Sequence, residues 1–205
     1  MNNKEKIPWI TRTTIFIALL IVVQAAPLEN RIITGSIVNF LLIVSVMTCG
    51  LASGISVAVI FPVMAKFFGI GPFWVLTPFI VAGNIVFVIL WHFVGNGIVG
   101  PKYTPVPLFS VFFHPDFIGN RNMGSKYYAF IMALLAAAVA KALVLHIGIV
   151  KIAVPVILGF PESQAAAISN TYSIPELFTA QFGGIFAIFT LPTIKKFIRG
   201  KISSE

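Results

Sequence analysis

The chain has 205 residues, 58% of them hydrophobic and only 10% charged, with a formal net charge of +8. Soluble domains carry roughly 25% charged residues, so a mainly water-facing surface is excluded. The positive charge does not indicate nucleic acid, because the basic residues sit at the ends of apolar segments and form no stripe on a polar domain.

The first apolar segment covers residues 12–26 and follows Lys4, Lys6 and Arg12. Val23-Gln24-Ala25 before Ala26 has the pattern of a signal-peptide cleavage site, whereas five further segments favour an uncleaved first span. No charged residue lies between Arg31 and Lys66, or between Lys66 and Lys102. A span needs about 20 apolar residues, so each run is too long for one. Segment two is expected over 32–49 and is followed by Gly50, Ser53 and Gly54; segment three, over 55–68, ends at Gly69, Gly71 and Pro72. Segment four is expected over 73–94, with Pro78 near its start as a tolerated kink.

Residues 95–126 change character: Pro101, Pro105, Pro107, Pro115, Asp116 and Arg121 mark a cytoplasmic loop, with a short surface-lying helix at 108–113. Segment five is expected over 127–150. Residues 152–158 are apolar but too short to span, so 151–175 reads as an extracellular loop, polar between Pro161 and Pro175. Segment six covers 176–194 and leads into the basic tail of Lys195, Lys196, Arg199 and Lys201. Cys49, the one cysteine, cannot form an internal disulfide and reads as a packing residue. Neither metal-ligand spacing nor a catalytic cysteine signature is present, and no cofactor is expected.

The expected fold class is therefore an all-α integral membrane protein: a six-transmembrane-helix bundle forming a single domain, with both termini cytoplasmic. In that topology Lys4, Lys6, Arg12, Lys102, Arg121, Lys126 and the four tail cations lie inside, against Arg31, Lys66 and Lys151 outside. This bias follows the positive-inside rule. The expected location is a prokaryotic plasma membrane, crossed several times.

An ionisable residue within a span is a functional hypothesis by default. Lys141 lies fourteen residues after Tyr127, about 21 Å along a helix and in its outer half. Gln24, Ser36, Asn39, Asn84 and Gln181 fall in the same half, with Thr34, Thr179 and Glu176 nearby. The asymmetry points to a polar pocket reached from outside. Lys141, Asn84, Asn39, Gln181, Gln24 and Ser36 are its candidate substrate-binding residues. Amides also hydrogen-bond between membrane helices without any ligand, and Lys141 has two structural alternatives: snorkelling outward or pairing with Glu176. As a ligand, Lys141 favours a carboxylate, phosphate or carbonyl-rich solute over a cation. His146 and Lys66 read as interfacial residues.

Several local patterns occur in a fixed order: Thr34-Gly-Ser-Ile-Val-Asn39, Phe61-Pro62 with Ala65 and Gly69, Pro78-Phe-Ile with Gly83-Asn84, Lys141-Ala-Leu-Val-Leu145, and Ser173-Ile-Pro-Glu-Leu-Phe-Thr-Ala180 before Gly183-Gly184. With these the chain resembles the substrate-binding S components of energy-coupling factor (ECF) vitamin transporters. The resemblance implies a subunit that binds a vitamin near the outer face, docks on a transmembrane coupling subunit carrying two ATPases, and topples to release the vitamin inside. The chain itself would hydrolyse nothing, and it has no Gly-x-x-x-x-Gly-Lys-Ser/Thr loop. An anionic vitamin such as pantothenate fits Lys141, with flavin and folate also open. The family's Ala-x-x-x-Ala docking pair is replaced by Thr14-x-x-x-Ala18. Two other classes remain open: a membrane enzyme using His114 and Asp116, with His92 near the same face, and a structural membrane subunit without transport activity.

Overall fold

The computed structural model describes residues 3–26, 30–70, 73–95 and 123–202, and every regular element among them is helical. α1 spans Asn3–Ala25, α2 Arg31–Cys49 and α3 Leu51–Phe67. One 3-10 turn, Trp74–Leu76, leads into α4, Thr77–Leu90, which widens into a π turn at Trp91–Gly95. α5 spans Met123–Leu145 and continues as π turns over His146–Leu158. α6 is Glu162–Thr171 and α7 is Ile174–Ile202. The expected loop at 95–126 lies almost wholly outside the described residues. So do His114, Asp116 and the short helix at 108–113.

Four stretches are long and apolar enough to cross a membrane: Arg31–Cys49, Trp74–Val94, Leu134–Leu158 and Glu162–Leu191, the last joining α6 to most of α7. Trp9–Ala25 and Leu51–Phe67 are apolar but shorter. A helix of 17 residues rises about 26 Å, slightly less than a hydrocarbon core of about 30 Å.

Local chemistry accounts for most boundaries. Asn30 caps α2, its side-chain oxygen accepting from the Ile32 N–H at 2.9 Å. Gly50, at φ 88°, turns α2 directly into α3. Pro78 lies in the first turn of α4, where its missing N–H costs nothing, so it starts the helix where a kink was expected.

The stretch 151–175 differs from the expected loop. The α5 helix runs on to Leu158, and α6 occupies much of the remainder. Lys151 interrupts the apolar run in sequence, but its side chain is exposed while Ala153 and Val154 beside it are buried. They join Leu76, Leu145 and Ile149 in a small second core, against which Ala165 and Ile168 of α6 pack. A lysine that reaches outward leaves the helix intact. The widened register begins at His146, well before Pro155, near the point where Gly148 lets the Phe79 ring press against the backbone. The first residues of α5, 123–126, are likewise helical where a loop was expected.

α2 lies at the centre of the bundle, against α1, α3 and, most extensively, α7. α4 bridges α3 and α5, and α5 returns to α7, so α2, α3, α4, α5 and α7 close a ring with α1 packed against α2 and α3. Leu42, Ile43, Val57, Phe87, Val88 and Trp91 fill the interior, while Val22, Val156, Phe186 and Phe189 point outward and are largely exposed. An apolar outside around an apolar inside suits lipid as the surrounding solvent.

The α2–α7 contact depends on two glycines. A β-carbon on Gly35 would lie 2.8 Å from the Thr179 methyl, and one on Gly183 would lie 2.6 Å from the Ser36 carbonyl oxygen and 2.8 Å from Asn39 Cβ. Thr179 thus sits over Gly35, and Asn39 sits against Gly183, four residues further along each helix. Small residues at this spacing let two membrane helices approach to backbone contact.

Candidate functional site

That close approach brings polar groups from three helices together. Lys141, on α5, is only 4% exposed. Its ammonium donates to the Asn39 side-chain oxygen at 2.6 Å and lies 3.4 Å from Glu176 Oε2. The Asn39 side-chain nitrogen donates to Thr179 Oγ1 at 3.2 Å, and the Thr179 hydroxyl donates to the Glu176 backbone carbonyl at 3.0 Å. The chain of bonds closes on itself: lysine to asparagine, asparagine to threonine, threonine to the glutamate backbone, and lysine to the glutamate carboxylate. An ammonium can only donate, which orients the Asn39 amide with its oxygen toward Lys141. The ammonium also lies 5.4 Å from the centroid of the Phe87 ring, within cation–π range.

Of the expected binding residues, Lys141 and Asn39 therefore meet directly. Ser36 lies one turn before Asn39, buried at the α2–α7 seam, with its hydroxyl donating back to the Ile32 carbonyl at 2.6 Å. Asn84 is buried on α4, three residues before Phe87 and on the same helical face. Gln181 is half-buried and two residues beyond Thr179, so it projects from a different side of α7.

Gln24 lies apart from this ring. Its side-chain oxygen is buried and without a hydrogen-bond partner among the described residues, and it lines a space of about 30 Å³ together with Phe61, Lys66, Ile70 and Thr77. Such a space is about the size that holds a water molecule. A larger cavity of about 250 Å³ opens between α5 and α7, lined by Val139, Ala142, Leu143, His146, Ser173, Ile174 and Leu177. Its polar feature is the 3.1 Å contact between His146 Nδ1 and Ser173 Oγ. Lys141 lines neither space.

Thr14 and Ala18 are both exposed on the outward face of α1. On the other side of that helix, Thr13 donates to the Trp9 carbonyl at 2.8 Å. Its single proton is thereby used, so Ser53 of α3 supplies the proton of their 2.7 Å hydroxyl contact. Among the described residues no group of histidine, cysteine and acidic side chains could hold a metal ion.

Sequence reasoning named Glu176 as a pairing option for Lys141 but did not single out Phe87 or the His146–Ser173 contact. For Phe87 a signal existed in its spacing from Asn84. For His146 and Ser173 none did, because 27 residues and two helix ends separate them. No family model, curated relative or solved structure matches the chain.

Proposed function

We propose that the chain is a six-span, multi-pass protein of a prokaryotic plasma membrane, with both termini cytoplasmic, that captures a small water-soluble anion from outside. It would act as the S subunit of an ECF-type importer, for a vitamin-like substrate such as pantothenate. A transmembrane coupling subunit and two ATPases would supply the energy, with the chain itself not an enzyme. One observation carries the reading: a single ammonium, Lys141, held inside a lipid-compatible bundle by groups from two other helices. Ionisable groups at membrane depth are costly, and they mark ligand or ion sites more often than packing. The packing of α1, α2, α3, α4, α5 and α7 into one bundle and the grouping of basic residues expected on one side support the topology. Thr14 and Ala18 are small and open on the outward face of α1, where a coupling subunit could approach closely.

The saturation of Lys141 by Asn39 and Glu176 also favours a second reading, in which the ring only fastens α2, α5 and α7 in a structural subunit. Affinity purification of the tagged chain from native membranes separates the two. The importer reading expects a transmembrane coupling protein and two ATPases to arrive with it. It also expects purified protein to retain a radiolabelled anionic vitamin, and Lys141→Ala to weaken that retention more than expression. Loss of expression, with unchanged affinity in the protein that survives, would assign Lys141 to structure.

A further inference from the structure

We propose that Glu176 is a built-in competitor for the ligand: its carboxylate occupies Lys141 in the empty state, and a carboxylate-bearing solute displaces it on binding. This rests on the capture function proposed above and specifies how that site is held when empty.

Three features of the ring single out this carboxylate. First, Lys141, Asn39 and Thr179 are almost wholly buried, whereas the Glu176 side chain is 23% exposed and lies in the first turn of α7, so it is the member with room to swing out at the helix end. Second, the short bond of the ammonium, 2.6 Å, goes to the neutral amide, while the carboxylate stands at 3.4 Å. Charge-assisted contacts close to about 2.7–2.9 Å when geometry allows, so the ion pair is the looser of the two. Third, Glu176 holds Thr179 through its backbone carbonyl, not its carboxylate. The side chain can therefore swing away while the Asn39–Thr179 bond and the α2–α7 seam persist.

Exchange of one carboxylate for another also solves the electrostatic problem of the site. Stripping a partner from a buried charge is strongly unfavourable, so a neutral solute would gain little by displacing Glu176. An incoming carboxylate leaves Lys141 neutralised before and after, and the released Glu176 moves to water.

The test uses purified full-length chain in detergent, with radiolabelled pantothenate, biotin and nicotinate as probes in equilibrium dialysis. Glu176→Gln removes the competing charge and keeps the shape. A carboxylate probe that binds the wild type is expected to bind Glu176→Gln about tenfold more tightly. Glu176→Asp, whose shorter reach weakens the competition, is expected to fall between them and serves should the glutamine variant fail to fold. Lys141→Met is expected to bind none of the probes. Equal or weaker binding by the Glu176 variants overturns the displacement while leaving capture standing. Failure of every probe to bind either wild type or variants at millimolar concentration overturns the capture function, and the displacement with it.

Discussion

Gly183→Ala is the sharpest probe of the packing that assembles the polar ring. The new methyl would stand 2.6 Å from the Ser36 carbonyl oxygen, 2.8 Å from Asn39 Cβ and 2.8 Å from the Phe40 nitrogen. Two of these neighbours are backbone and cannot rotate away. Comfortable contact needs about 3.5 Å, so α2 and α7 must part by about 0.8 Å. The Asn39–Thr179 bond starts at 3.2 Å, and such a shift stretches it to about 4 Å, beyond hydrogen-bonding range. Overpacking costs about 1–3 kcal/mol, and an interhelical bond in lipid is worth about 0.6 kcal/mol, so the expected destabilisation is about 2–4 kcal/mol. The neighbouring Gly184→Ala is the control. Its β-carbon meets side chains, the flexible end of Leu134 and the Trp91 ring at 3.0 Å, and no backbone, so its cost should be smaller. Equilibrium unfolding in mixed micelles with rising SDS measures both. Equal losses for the two variants would refute the argument that backbone contact at Gly183 holds the seam.

Four further outcomes are expected. Lys141→Met leaves the Asn39 oxygen and the Glu176 carboxylate without their partner and should destabilise the empty protein by about 2–4 kcal/mol. The double variant with Glu176→Gln should recover part of that loss, and strictly additive losses in the same unfolding assay would contradict the ring. A double-mutant cycle on Thr13→Val and Ser53→Ala should return a coupling of about 0.6 kcal/mol, against zero if their contact contributes nothing. Ser173→Ala should cost about 0.5–1.5 kcal/mol by releasing His146; an unchanged unfolding midpoint counts against that contact. For topology, single cysteines in a Cys49→Ser background are labelled with an impermeant maleimide in intact cells. Ser163→Cys, exposed on α6, should react directly, and Lys4→Cys only after permeabilisation; the opposite pattern would invert the proposed orientation.

The helices themselves were legible in the sequence because being long and apolar enough to cross a bilayer is a property of each segment taken alone. Charge-free runs and a glycine at residue 50 mark α2 and its end without reference to the rest of the chain. The boundary at Lys151 was not legible in this way. Whether a lysine ends a helix or merely points outward depends on what its neighbours bury, and Ala153 and Val154 bury themselves against elements distant in sequence. The same limit applies to Lys141. Its burial among polar residues could be anticipated from depth, but not its partners, because depth says nothing about rotation. The facing of Asn39, Thr179 and Glu176 is set by how closely α2 and α7 approach at Gly35 and Gly183. Only the tertiary structure decides that approach, since it is a property of two helix surfaces together and of neither alone.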